Sequence, residues 1–279
     1  MAYYDNVANS VVLEAVVTGT HSSGKSTLVE SFRDTDLTLE YGIPEPFGFD
    51  LLDLGDPDNS PVLDKRIPLI TIGEAATDYA QQQGNPALIG DEYSLATQQK
   101  IERLGMFNLA KAQVVLAGAI NRARSEFGHD SIANVALTLS DRWPTDGKPY
   151  SQLRLPEADS DMIGTYPFRQ EQLRNAVSSL DFVFLTKPQE VPFERTTARP
   201  SDAQLRDNIH DELLELYKDI SQNPIFELQG TKSERHDSLK AHLTMLLGSH
   251  FVARTMVAAY MNGDYARAES HLSPTLRKT

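Results

Sequence analysis

Residues 19–26 read Gly-Thr-His-Ser-Ser-Gly-Lys-Ser: two glycines bracket four residues, and a lysine and a hydroxyl follow the second glycine. Those types at that spacing suit the holding of a phosphate chain. Gly19 and Gly24 admit backbone conformations closed to other residues, so successive N–H groups can point inward at phosphate oxygens. A helix opening at Lys25 adds free N–H groups and partial positive charge at its N-terminus. Lys25 is placed to reach the β- and γ-phosphates, and the Ser26 hydroxyl to take one position on Mg²⁺. The candidate nucleotide-binding residues are therefore Gly19, Thr20, His21, Ser22, Ser23, Gly24, Lys25, Ser26 and Thr27.

Positioning such a loop requires a buried strand before it, and the apolar run Leu13–Thr18 supplies one. After a helix over about 25–32, the acidic stretch 34–65 is punctuated by Pro44, Pro46, Pro57 and Pro61 and by Gly42, Gly48 and Gly55. It reads as a long irregular insertion, with a short extended piece at Leu37–Tyr41. Pro68–Ile72 predicts a second strand, leading through Glu74 into a helix over Ala75–Gln82. Apolar residues at helical spacing from Ser94 to Phe127 predict one long helix or two in tandem. Val135–Leu139 predicts a third strand that ends in Ser140-Asp141-Arg142. A helical region around Gln170–Ser179 precedes a fourth strand, Phe182–Leu185. A helix over Ala203–Ile220 precedes a fifth, Ile225–Leu228, and helical segments follow Ser233 and span about His250–His271. The alternation predicts an α/β fold: a five-stranded parallel sheet with helices on both faces. The expected organisation is one domain over residues 1–248, with the insertion at about 34–66, and a C-terminal helical extension over 249–279.

In such sheets ligands lie beyond the carboxyl ends of the strands, so charged residues there carry extra weight. Asp141 ends the third strand, where a carboxylate can hold Mg²⁺ or its water ligands. Glu74 follows the second, where it can orient or deprotonate an acceptor hydroxyl. Either residue can alternatively serve as a helix cap. Arg195, Arg199 and Arg206 fall between the fourth strand and its helix. There they read either as lid arginines over a transferring phosphoryl group or as a solvated basic loop.

The net charge of −13 over 279 residues argues against nucleic acid as a partner. With no cysteine, disulfides and thiolate zinc sites are excluded. The seven histidines show no metal-site spacing. The N-terminus lacks a secretory pattern and no apolar run is long enough to span a bilayer, so a cytoplasmic protein without a membrane partner is expected.

The order of G-x-x-x-x-G-K-S-T, strand-end Glu74, Asp141-Arg142, Asp181-Phe182-Val183-Phe184-Leu185 and Arg199 with Arg206 resembles the P-loop ATPase/kinase family that includes bacterial ribosylnicotinamide kinase domains. More distantly it is similar to thymidylate and deoxynucleoside kinases. The resemblance covers about residues 11–248. It implies a five-stranded parallel sheet, ATP (GTP in some members) with Mg²⁺, and phosphorylation of a nucleoside-like acceptor. By the same resemblance Glu74 is the acidic residue after strand two and Asp141 the magnesium-associated aspartate. Arg142 is its neighbouring arginine, and Arg199 and Arg206 are lid residues. Two positions depart from the pattern: Thr77 replaces an arginine, and Thr196-Thr197-Ala198 leave no acidic residue before Arg199. Pro44-Glu45-Pro46 resembles the Glu-Pro motif of deoxynucleoside kinases, though no clear buried strand precedes it. Gly230-Thr231-Lys232 is the expected neighbour of the base. The sequence thus leads to an ATP-binding, Mg²⁺-dependent phosphotransferase acting on a nucleoside, nucleotide or similar small molecule. The alternative is a regulatory ATPase/GTPase switch with a protein partner; the oligomeric state stays open.

Overall fold

A computed structural model describes residues 10–21, 23–53, 66–90, 92–154, 180–188, 203–220 and 225–261. Its centre is a mixed, mostly parallel six-stranded sheet built from β1 (Val11–Gly19), β2 (Phe47–Asp53), β3 (Arg66–Ile72), β4 (Val135–Asp141), β5 (Phe182–Thr186) and β6 (Ile225–Leu228). The strands run in the order β2-β3-β4-β1-β5-β6. Five of them are mutually parallel, as the alternation of strand and helix requires. The sixth, β2, is an antiparallel edge strand on β3 that the sequence reading did not contain.

That strand corrects the picture of residues 34–53 as irregular, while the rest of the expected insertion, 54–65, lies outside the described residues. Residues 35–40 form a helix, α2 (Thr35–Glu40), whose N-cap Asp34 accepts a hydrogen bond from the Leu37 N–H at 2.9 Å. The alternation Leu37/Leu39/Tyr41 suggested extended chain, but only Leu37 and Tyr41, four apart, pack on the core, whereas Leu39 is 74% exposed. Beyond Gly42 the chain enters β2, where Phe47 and Phe49 are fully buried against the sheet.

The remaining helices fall where the sequence predicts helix, except Gly147–Arg154, for which it predicts none. They are α1 (Lys25–Glu30), α3 (Ala75–Gln82), a single α4 (Leu95–Phe127), α5 (Gly147–Arg154), α6 (Ala203–Ile220) and α7 (Lys232–Met261). Because α7 runs unbroken through Gly248, the boundary expected at 248/249 falls inside a helix. The helical region expected at 170–179 and the end of the C-terminal extension lie outside the described residues.

Alternate β1 side chains serve two cores. Leu13, Ala15 and Val17 pack beneath α1 and α7, with Leu28, Val29, Leu239 and Leu243 closing that face. On the other face Ile70, Ile72 and Ala136 pack under Leu116 and Ile120 of α4. Val16 and Val183 meet Ile209, Leu213 and Tyr217 of α6 there. Burying the central strands on both faces fixes their register, since a one-residue slip would exchange the two cores. After β1 the chain passes toward β3, whereas after β4 it crosses β1 to reach β5. The loops leaving neighbouring β1 and β4 therefore diverge and open a crevice at their carboxyl ends. No helix among the described residues is long and apolar enough to cross a membrane.

Candidate functional site

The glycine-bounded loop sits at that crevice, and its geometry follows from its neighbours. Gly19 has φ 144°, and a Cβ there would lie 2.3 Å from Thr186 Oγ1, so β5 and the loop approach too closely for any side chain. Gly24, at φ 81°, turns the chain into α1. The Lys25 ammonium reaches back across the loop to donate to the Thr20 carbonyl at 2.6 Å. Ser23 Oγ donates to the same carbonyl at 2.8 Å and lies 2.7 Å from Thr186 Oγ1. Ser22 lies outside the described residues, while Ser26 and Thr27 are exposed.

Three strand-end residues converge on Lys25. Asp141 is buried at the end of β4. Arg142 adopts a left-handed backbone (φ 71°), rare for a residue with a side chain and frequent where function fixes the geometry. Its guanidinium is fully engaged: Nε pairs with Glu74 Oε1, Nη1 donates to the Gly19 carbonyl at 3.0 Å, and Nη2 donates to Tyr150 Oη at 2.9 Å. Glu74 is the N-cap position of α3 but makes no side-chain cap bond; it accepts from Thr77 Oγ1 at 2.8 Å instead. Thr77 thus holds the carboxylate that Arg142 neutralises.

The electrostatics separate the two carboxylates. Burial pushes Glu74 up, but Arg142 and Lys25 more than offset it and hold the group at about 2. Asp141 goes the other way. Burial, reinforced by the Glu74 charge, lifts it to about 6 against the pull of Lys25 and a hydrogen bond from Ser26. Burial, with Arg142 beside it, lowers Lys25 to about 8. Glu74 is accordingly a permanently ionised hydrogen-bond acceptor and a poor base.

The raised Asp141 value carries a stability consequence with a definite sign. The folded state favours its protonated form, so this group's contribution is complete below about pH 3.8 and is lost as pH rises through about 6. Asp141→Asn should therefore match the parent's thermal stability near pH 4. At pH 7 it should exceed it by roughly 1–3 kcal/mol. Thermal unfolding across that range would read the difference; a variant less stable at pH 7 contradicts it.

Two supports of the loop carry no sequence signal of their own. Arg235, buried in the first turn of α7, donates to three backbone carbonyls: Gly230 at 2.8 Å, Ser23 at 2.8 Å and Lys187 at 3.1 Å. It thereby ties the glycine-bounded loop to the ends of β5 and β6, including the Gly230-Thr231-Lys232 turn. Arg235→Ala leaves those carbonyls short of a charged donor. A loss of about 3 kcal/mol in denaturant unfolding is expected, and an unchanged midpoint would contradict this role. Asp146, also buried, accepts from Thr18 Oγ1 and from Tyr217 Oη, each at 2.5 Å. It locks the end of β1 to α6.

In front of the loop lies a cavity of about 960 Å³. His21, Lys25, Ser26, Thr27, Glu74, Asp141 and Arg142 line one end, and the other is walled by α3, the turn Pro86–Ile89, α4 and α5. Along α4 the stripe Gln98, Ile101, Gly105, Asn108 faces it, three or four residues apart. Gly105 lets Pro144 and Ala75 close in, and a Cβ on Gly147 would overlap Gln98 at 1.5 Å. The candidate residues Lys25, Ser26, Glu74, Asp141 and Arg142 are thus brought together. Arg206 is not: it is buried in the first turn of α6 beside Asp207 and does not line the cavity. Arg195 and Arg199 lie outside the described residues. Glu45 pairs with Arg33 at 2.7 Å and does not line the cavity either.

No family model matches the chain, and no curated protein matches it in sequence.

Proposed function

We propose that the chain is a P-loop NTPase-type phosphotransferase that uses ATP (GTP is the other candidate) to phosphorylate a small hydroxyl-bearing acceptor. One observation carries the reading. The cavity does not stop at the phosphate loop but continues past Glu74 to a wall of α3, α4 and α5, leaving room for a second substrate beside Lys25. A nucleotide-gated switch needs no such compartment.

Backbone N–H groups of the loop and Lys25 bind the triphosphate, and the Arg142 clamp holds the loop's first carbonyl and Glu74 in one frame. The residues fit Mg²⁺: Ser26 presents an exposed hydroxyl, and Asp141 Oδ1 is buried without a hydrogen-bond partner among the described residues. Ser26 and Asp141 would hold the ion, directly or through water. When bound, Mg²⁺ supplies charge neutralisation on the phosphates. Glu74 accepts the acceptor's hydroxyl hydrogen bond and orients it, since phosphoryl transfer through a loose transition state asks more for positioning than for a strong base.

The test is incubation with γ-labelled ATP and Mg²⁺ in the presence of nucleosides, nucleoside monophosphates and simple sugars. Label in an organic product supports the proposal. Release of inorganic phosphate alone, unaffected by every acceptor, would favour the switch.

A further inference from the structure

Tyr150 of α5 lines the cavity beside the glycine-bounded loop, and its hydroxyl sits among donors suited to an anion. The oxygen accepts from Arg142 Nη2 at 2.9 Å and from the His21 backbone N–H. The same guanidinium donates through Nη1 to the Gly19 carbonyl at 3.0 Å, so both donors belong to one frame around the loop. The ring is held as well: Arg142 Cζ lies 5.0 Å from its centroid, and the His21 ring stands 6.3 Å away, tilted by 56°. The Lys25 ammonium is likewise engaged inside the loop, on the Thr20 carbonyl at 2.6 Å.

A loop of this kind receives phosphate through backbone N–H groups that point inward. In the free protein one of them, on His21, is held by a phenol oxygen together with one arm of a guanidinium. Burial raises Tyr150 above its usual range, so the phenol keeps its proton and is a neutral acceptor. A neutral oxygen is the weaker partner, because hydrogen bonds with an ionised member are roughly twice as strong as neutral ones. A phosphate oxygen offered to the same two donors therefore outcompetes the hydroxyl.

We infer that Tyr150 is a placeholder: in the free protein its hydroxyl occupies the position of a phosphate oxygen, and a bound triphosphate displaces it and releases α5 from the loop. This rests on the reading of residues 19–26 as a phosphate site. α5 packs against α4 and α6, so its release passes the state of the loop to the wall of the cavity. The device weakens binding by the fraction of molecules in which the loop is open. A docked form that holds about nine molecules in ten makes the apparent Kd about tenfold weaker than that of the open loop.

The experiment uses Tyr150→Phe, which removes the oxygen and keeps the ring beside Arg142 and His21. The full chain and the variant are titrated calorimetrically with Mg·ATP and, separately, with tripolyphosphate. The variant should bind both about three- to tenfold more tightly than the wild type. The factor should be the same for the two titrants, because the contact concerns the phosphates and not the base. In the wild type, adding Mg·ATP should slow amide hydrogen exchange over residues 20–27 and quicken it over 147–154. A variant that binds more weakly makes Tyr150 a ligand of the nucleotide and overturns the inference. One that binds equally makes it a structural contact and overturns it too, as does unchanged or slower exchange over 147–154. If the wild type binds neither titrant, the reading of residues 19–26 falls, and this inference with it.

Discussion

Lys25→Ala is expected to remove phosphoryl transfer and nucleotide binding while leaving the unfolding temperature of the free protein almost unchanged. The two halves of that result have different origins. Burial lowers Lys25 from 10.5 to about 8, so at pH 7 the folded state carries its charged form at a penalty of about 3 kcal/mol. Against this stand its hydrogen bonds to Thr20 and Ser23 and the packing of its methylenes, together worth a similar amount. Deleting the side chain removes both and nets close to zero. The bound triphosphate has no such compensation. On the proposed reading it loses the cation of the glycine-bounded loop, and a drop of at least about a hundredfold in turnover follows. Side-by-side thermal unfolding and single-turnover transfer measure the two halves. A variant that transfers normally contradicts the role of the loop, and one that fails to fold contradicts the energetic balance.

Glu74→Gln should behave in the opposite way on stability and similarly on chemistry. Glu74 lies at about 2 in the folded protein against 4.5 ordinarily, so its contribution is present above pH 4.5 and is lost as pH falls through about 2. At pH 7 the neutral amide forfeits about 2–3 kcal/mol and leaves Arg142 without its counter-charge. A fall of about 5–10 °C in the unfolding temperature is expected. Transfer should drop about a hundredfold through misoriented acceptor, whereas nucleotide affinity should stay within about threefold because the side chain lies outside the phosphate loop. A Glu74→Gln variant with unaltered transfer would favour the switch. With Asp141→Asn expected to be stabilised at pH 7, the three substitutions form a signed series: unchanged, lowered and raised stability around one ion cluster.

The parts of this site that were legible in the sequence are those fixed by short-range pattern. The glycine spacing at 19–26, the apolar runs at β1, β3, β4, β5 and β6, and the position of Glu74 and Asp141 after their strands are all local signals. Five strands and the long helix α4 follow from them. Residues 35–53 were not legible because Leu37–Tyr41 fits both a strand and a helix period, and the Asp34 cap decides between them. β2 was hidden by Gly48, Asp50 and the flanking prolines, residues that an edge strand tolerates and a central one does not. The supports of the loop were invisible for a different reason. Arg235 and Ser23 are separated by 212 positions and Asp146 and Tyr217 by 71, and such pairings exist only once the sheet order brings the strand ends together.

The most direct measurement of the central claim is calorimetric titration of the wild-type chain with ATP in the presence and absence of Mg²⁺. The account predicts one saturable site per chain that is strengthened by Mg²⁺ and abolished by Lys25→Ala. No binding by the wild type, or equal binding by the two proteins, would contradict it.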